Sequence, residues 1–398
     1  MHILILNEYY PPDTSATAYM AETVAKALAE HHKVTVIAGR PSYDPLETYP
    51  YRLLRKEIRD GINVERVGST AYPRHKMRRR VANYLSFLAL VVPRAVMVRS
   101  DAIVAMTDPP IMGIAAAVVS RLTGRPLIYN IRDMYPDMAV GGEIVKAGKF
   151  INFWERLHRW ALRRAKRVIV LGDDMRDRVV AKGVPEERVI VIRDGTQIPE
   201  KLADQRSPVA QEIRSGFAFV AIHAGNLGFY GAWGTLLQAA ARVAGDGIGL
   251  VFVGGGANRD KVAAQASGIG SVRFVSFRPA NEIPDVMAAG DVHVVTIKRG
   301  LEGVVVPSKL FGILAAGRPV LVVAPRESDA ARIITGAKCG IAVDPEEPDA
   351  VADALRTLAS NPDDLSAMGA RARKAAENYV RVNELSRFVR TVEEAVAR

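Results

Sequence analysis

The 398-residue chain has one cysteine, Cys339. That excludes an internal disulfide framework and any metal site built on several cysteines. A reducing cytosol is the expected setting, with Cys339 a small buried side chain. The seven histidines are scattered. His2, His223 and His293 lie in or beside apolar runs and read as core residues rather than ligands. Asp173-Asp174 lacks a third ligand nearby and reads as a helix start, so no metal is expected. No glycine lies between Asn7 and Thr17, where a dinucleotide-binding fold needs its Gly-x-Gly-x-x-Gly; this argues against a dinucleotide oxidoreductase, the alternative that NAD binding would favour. No apolar run reaches the roughly 20 residues of a bilayer span. The best candidate, residues 81–92, stops at Pro93, and no transmembrane helix is expected. Residues 1–7 are too short an apolar stretch for a secretory signal.

Acidic residues are also missing, from Arg66 to Ser100. The formal charge of +11 is therefore uneven: residues 1–198 carry 31 Lys and Arg against 21 Asp and Glu, and residues 199–398 carry 23 against 22. Within the acid-free stretch, Arg74-His75-Lys76-Met77-Arg78-Arg79-Arg80 runs into the apolar segment. Two readings fit: a buried helix with a basic flank, or a helix at a membrane interface with Lys76, Arg78, Arg79 and Arg80 on anionic headgroups. Nucleic acid is not expected as a partner, because no helix-turn-helix, zinc-finger or RNA-binding signature accompanies the charge.

What is present is an ordinary globular composition, 49% hydrophobic and 24% charged, and a length that implies two or three domains. The first half alternates β-branched runs (3–6, 34–38, 103–105, 127–131, 168–171, 189–192) with helical periodicity (18–30, 108–122, 150–165, 174–182). Residues 195–215 are polar, contain two prolines and read as a linker. The same grammar then restarts, with strands at 219–222, 250–253, 272–274, 292–296 and 320–323. Helices are expected at 233–243, 285–289 and 308–316, and from 349 onward with a break at Asn361-Pro362. Two βα arrays in series predict an α/β protein with parallel sheets covered on both faces, binding ligands at the carboxyl ends of their strands.

Four segments carry chemistry. His223-Ala224-Gly225-Asn226-Leu227-Gly228-Phe229-Tyr230-Gly231 follows a strand and precedes a helix, where glycines let the backbone approach a ligand. Gly254-Gly255-Gly256 repeats the device after the next strand, and alone reads as a turn. In Lys298-Arg299-Gly300-Leu301-Glu302-Gly303 and the following Pro307-Ser308-Lys309, three cations and a helix start are expected to converge; that is a way to hold a diphosphate without a metal. Asn130-Ile131-Arg132-Asp133-Met134-Tyr135-Pro136 closes a strand of the first half. Asp133 there is positioned to accept a proton or support a developing cation, or to cap the next turn.

These residues resemble family 4 glycosyltransferases. Leu6-Asn7-Glu8-Tyr9-Tyr10-Pro11-Pro12-Asp13 is similar to the family's first-strand loop. Thr107-Asp108-Pro109-Pro110, the Asn130 segment, Gly225-Asn226-Leu227-Gly228 and Val306-Pro307-Ser308-Lys309-Leu310 through Pro319 are similar to its WbuB-like branch. The likeness extends to Met368-Gly369-Ala370-Arg371-Ala372-Arg373 and Tyr379. It implies a GT-B fold, two Rossmann-like domains facing across a cleft: 1–197 for the acceptor, 198–375 for the nucleotide sugar, and 376–398 as a helix returning to the first domain. It also implies retaining, metal-independent transfer without a cofactor. In that scheme Asn226, Gly228, Lys298, Arg299, Pro307, Ser308 and Lys309 hold the donor diphosphate, and Phe277 and Arg278 mark the nucleobase region. Asp133 is the catalytic polar residue, and Tyr10, Thr14 and Arg132 lie on the acceptor side. Gly312 and Val304 stand where the family commonly has two glutamates, with Glu302 the candidate substitute. The usual Arg and Lys of the 226–231 loop are missing, which leaves the diphosphate to Lys298, Arg299 and Lys309. Thr14-Ser15-Ala16-Thr17 replaces a glycine-rich stretch.

The expectation is a cytoplasmic enzyme, peripheral on the inner membrane, that moves a sugar from a UDP-sugar to a lipid-diphosphate-linked acceptor in surface polysaccharide synthesis. The donor sugar expected is an N-acetylhexosamine or a 6-deoxy relative. A UDP-sugar 2-epimerase of the same fold, or an inactive membrane-associated partner subunit, are the alternatives.

Overall fold

The computed structural model describes the chain except residues 44–46, 48, 74, 75 and 398; Arg74 and His75 of the basic segment thus lie outside the described residues. The chain forms two compact units.

The first unit comprises Met1–Pro136, Lys146–Ile192 and Leu385–Arg398. Its elements are β1 (His2–Leu6), α1 (Ala16–Ala29), β2 (Lys33–Ala38), β3 (Leu54–Arg59), β4 (Ile62–Val67), α2 (Met77–Met97), β5 (Ala102–Ala105), α3 (Met112–Thr123) and β6 (Leu127–Asn130). After α4 (Asp137–Gly141), which belongs to the second unit, come α5 (Lys149–Arg164), β7 (Arg167–Val170), α6 (Asp173–Ala181) and β8 (Val189–Val191). The sheet order is β3-β4-β2-β1-β5-β6-β7-β8, parallel except for β3. The chain moves outward from β1 through β2 and then returns to β5 on the other side, so the switch point lies between β1 and β5.

Three expectations change here. Residues 54–67 form an antiparallel edge hairpin that alternation did not reveal, because Leu54-Arg55-Lys56-Glu57-Ile58-Arg59 is mostly charged, as suits an edge. Its signal is Asp60-Gly61, both at positive φ (49° and 77°), the two-residue turn that joins twisted strands. Second, α3 begins at Met112, and Pro109-Pro110 precede it in a turn. Third, Pro93 does not end α2. The helix continues to Met97 with Pro93 exposed, where the missing N–H costs only one ladder bond. At 21 residues, α2 is long and apolar enough by length and composition to cross a membrane, contrary to the sequence estimate, with 22% of its apolar window buried.

The burial of α2 is one-sided. Asn83, Phe87, Val91 and Ala95 recur at every fourth position and are buried. Asn83 accepts from Thr70 Oγ1 (2.9 Å) and Tyr72 N (3.0 Å) and donates to Tyr72 O (3.0 Å). Arg94 forks onto both oxygens of Glu65 at 2.5 and 2.7 Å. Burial works to raise Glu65, but this pairing outweighs it and holds the carboxyl below its usual range. On the other side Val81, Leu85, Ala89, Pro93 and Val96 form an exposed stripe, with Leu85 58% exposed.

The second unit comprises Asp137–Val145 and Arg193–Glu384, which moves 137–145 out of the segment assigned to the first domain from sequence. Its remaining elements are α7 (Pro208–Arg214), β9 (Phe219–Ala224), α8 (Trp233–Arg242), β10 (Ile248–Val253), α9 (Arg259–Gln265), β11 (Val272–Val275), α10 (Ile283–Ala289), β12 (Val292–Thr296) and α11 (Lys309–Ala315). They continue with β13 (Val320–Val323), α12 (Asp329–Ala337), β14 (Gly340–Val343), α13 (Pro348–Ser360) and α14 (Pro362–Ala376). The supposed linker therefore holds α7, whose Ala210 and Ile213 are buried with Val220, Ile222 and Val251. All six strands are parallel, in the order β11-β10-β9-β12-β13-β14, which places the switch point between β9 and β12.

The last helix, α15 (Arg381–Ala397), has Phe388, Val389, Val392 and Ala395 in one core cluster with Ile3, Ile5, Leu28 and Val104 of the first unit.

Candidate active site

At the carboxyl end of β9, beside the switch point of the second unit, His223 is fully buried. Trp233 stands edge-on to its ring at 4.9 Å, and Phe252 lies 6.0 Å away. Nδ1 donates to Val294 O of β12 at 3.1 Å, which leaves Nε2 as the acceptor. Lys309 Nζ, from the start of α11, donates to that nitrogen at 2.9 Å. Among the described residues no carboxylate pairs with Lys309. Part of its surface stays open, yet burial of the ammonium draws the lysine down to about 7. His223 is pushed well below its ordinary value, first by burial and then by Lys309.

The glycine loops fit tightly around this pair. Gly225 sits at φ 124°, and a Cβ there would lie 3.4 Å from Lys309 Nζ. Gly254 (φ 134°) would place a Cβ 2.3 Å from Gly225 O, and Gly256 (φ 137°) one 2.2 Å from Asn226 Oδ1. The two loops are joined by Gly225 N to Val253 O (2.8 Å) and Leu227 N to Gly255 O (2.7 Å). Gly228 O accepts from Trp233 Nε1 (2.8 Å) and Asn258 Nδ2 (3.0 Å), and Asn226 O accepts from the Tyr230 hydroxyl (2.6 Å). The Gly254–Gly256 stretch thus has a structural partner and is more than a turn. Gly254→Ala should destabilise the protein by about 2 kcal/mol or more, since strain at positive φ and a backbone clash add. Urea unfolding would check this. Gly312 differs: it lies inside α11 with nothing within 4 Å of a Cβ. Gly312→Ala should stabilise by about 0.5–1 kcal/mol in the same assay.

The three cations expected to converge do not share a partner. Lys298 pairs with Glu143 at 3.0 Å, while Arg299 bridges Asp344 and Glu346. Only Lys309 turns to the glycine loops. Glu302 accepts from Gly300 N at 2.7 Å and closes its own turn. Ser308 is exposed, and Pro307 is half-buried. Phe277 is 71% exposed and lies beside Gly255, 3.6 Å from the position of a Cβ there. Arg278 pairs with Glu212 and Glu282.

In the first unit, the switch-point loops are tied by Glu8 N to Asp108 O at 2.8 Å. Asp133 and Arg132 follow β6 and are half-buried. The Tyr135 hydroxyl is raised, first by burial and then by Asp133 and Asp108, with Arg80 opposing, so these groups share one electrostatic neighbourhood. Tyr135 stacks on Trp154 at 5.9 Å. Tyr10 is 1% exposed and belongs to the core, which removes it from the acceptor surface; Thr14 is exposed. Asp13, passed over in the sequence, is 4% exposed and accepts from Ser42 N (2.8 Å) and Tyr43 N (2.6 Å). Burial raises it to about 6. Lys76, Arg78 and Arg79 are exposed, and Arg80 lies over Tyr84 at 5.8 Å. Cys339 is buried, which raises its thiol to about 11. Asp173 and Asp174 open α6 with Gly172 as the cap, and among the described residues no cluster of three His, Cys, Asp or Glu could hold a metal.

A family model for the glycosyl transferase 4-like domain matches residues 16–195, and one for glycosyl transferases group 1 matches 218–361. The chain is a family 4 glycosyltransferase. This glycosyltransferase is 25% identical over 381 residues to the putative colanic acid biosynthesis glycosyl transferase WcaI of Escherichia coli, covering 89% of this chain and 91% of that one. It is 25% identical over 305 residues to the probable glycosyltransferase WbjE of Pseudomonas aeruginosa, covering 74% of each. Its fold matches the crystal structure of Anabaena HepE in complex with UDP, with a TM-score of 0.68 and 17% identity over 99% of this chain and 100% of that one. The fold class is GT-B, with two Rossmann-like parallel-sheet units.

Proposed function

We propose that this glycosyltransferase moves a sugar from a UDP-sugar to a lipid-diphosphate-linked glycan acceptor in surface polysaccharide synthesis, with retention and without a metal. The observation that carries the donor side is Lys309, a desolvated ammonium with no carboxylate partner among the described residues, set against glycine loops at a switch point. Such a cation lacks only an anion. The name of the WcaI relative supports a place in polysaccharide synthesis, and the UDP held by HepE supports the nucleotide.

Each chain residue then has one task. Lys309, with the backbone of Asn226–Gly228, receives the diphosphate. Negative charge grows on it as the bond from the sugar's anomeric carbon to the phosphate oxygen breaks and the electron pair leaves with UDP. The acceptor hydroxyl forms the new bond on the same face, and its proton goes to the departing phosphate oxygen; Asp133 is the proposed polar catalytic residue of the first unit. Lys298 and Arg299 join the diphosphate only by exchanging Glu143, Asp344 and Glu346 for it. Phe277 offers a ring to the nucleobase. The exposed stripe of α2 and the cations at its start support peripheral contact with an anionic, cytoplasm-facing leaflet. An N-acetylhexosamine or a 6-deoxy relative is the proposed sugar.

Thermal unfolding with UDP, GDP, ADP or NAD, each with and without EDTA, tests the donor assignment, because a ligand of the folded state raises the midpoint with occupancy. A rise with UDP alone, unchanged by EDTA, is expected. A rise with NAD, or with none of the four, overturns the assignment.

A further inference from the structure

We infer that His223 is a positioning residue for the donor diphosphate: its Nε2 holds the Lys309 ammonium against Gly225 and sets how tightly UDP binds. The inference rests on the proposed donor site. Apolar sequence surroundings make His223 look like a core residue, and it is buried, but its ring is not interchangeable with an apolar one. Val294 O fixes the proton on Nδ1, and Trp233 and Phe252 fix the ring plane, so a lone pair points at Lys309 Nζ from 2.9 Å. A flexible four-carbon side chain is thereby confined to one position before ligand arrives. A carboxylate in place of the imidazole would hold the lysine equally well, but it would neutralise the ammonium and repel the diphosphate. A neutral acceptor orients the amine and leaves its charge for the ligand.

This arrangement also makes donor binding a proton-linked event. Among the described residues the titratable group facing the pair is His293 on β12, and Arg318 before β13 faces His293 in turn; neither is acidic. Asp291 faces His293, Arg214 and Arg318. A diphosphate is then the first anion the Lys309 ammonium meets, and it draws the amine toward its protonated form. Near pH 8 UDP binding should take up a proton. Its affinity should fall by up to about tenfold per pH unit above neutrality.

Calorimetric titration of UDP into the full-length protein reads both effects, in two buffers of different ionisation enthalpy between pH 6.5 and 9. For wild type we expect proton uptake near pH 8. His223→Leu should weaken UDP about tenfold, raise the donor KM more than it lowers kcat, and flatten the pH profile. His223→Gln, which keeps an acceptor oxygen, should recover most of the affinity. In a Lys309→Met background, His223→Leu should cost nothing further. Equal losses from His223→Leu in both backgrounds, or UDP binding without proton uptake in wild type, overturn the inference. Should His223→Leu not fold, the proton count in wild type and the His223→Gln profile decide it. Absence of UDP binding by wild type at every pH would instead overturn the donor-site reading beneath it.

Discussion

Lys309→Met should lower kcat/KM for the donor by about 100- to 1,000-fold, the usual cost of removing one donor from a developing oxyanion. The same change should stabilise the fold. Burial draws Lys309 from 10.5 to about 7 in the native protein. Between those values the unfolded chain binds more protons than the folded one, so this group makes stability rise with pH. Below about pH 7 the full cost of burying the ammonium is felt, and above about 10.5 it vanishes. Methionine removes the cost, so the gain in unfolding midpoint should be largest at pH 6 and shrink toward pH 10. A residue retained for packing would behave oppositely, losing stability on substitution with little change in turnover. Steady-state kinetics and a pH series of melts separate the two.

Lys76→Ala/Arg78→Ala/Arg79→Ala should release the protein from anionic vesicles. Each cation near a charged leaflet contributes about 1 kcal/mol, so three should lower the partition coefficient roughly a hundredfold. All three are exposed, and the unfolding midpoint should stay within a degree or two. Leu85→Ser, on the exposed stripe, should weaken binding to the same vesicles with less dependence on salt. Sedimentation with vesicles of phosphatidylglycerol and phosphatidylethanolamine reads both. Unchanged partitioning of the triple variant would assign the basic flank to solvation alone.

The legible part of the fold was the part written in β-branched runs. β1, β2 and β5–β13 sit where apolar runs end at turn residues, because a strand covered on both faces needs nothing else in its sequence. Edge elements were less visible. β3 is charged because one of its sides has no neighbour, and α7 is too short for its period to show above a polar background. Pro93 misled because an exposed proline interrupts one hydrogen bond while packing on the opposite face holds the helix together. In the site, the glycines and Lys309 were readable from spacing. The partners of Lys298 and Arg299 were not, since Glu143, Asp344 and Glu346 are far away in sequence. His223 was hidden for a different reason. Burial and function make the same mark on a one-dimensional pattern, and only the lysine opposite tells them apart.

Phe388, Val389, Val392 and Ala395 are made roughly 200 residues after β8, yet they complete a core begun by Ile3 and Ile5. At about 5–20 residues per second, the roughly 200 residues between β8 and Phe388 occupy some 10–40 s of translation. For that interval the first unit's sheet is fully synthesised, with α1 covering only part of one apolar face. Vectorial folding cannot finish the first unit before the second is made. A product stalled or terminated before Phe388 would expose this surface even with every strand of its sheet present, so a break there should act as a folding defect in a sheet made some two hundred residues earlier.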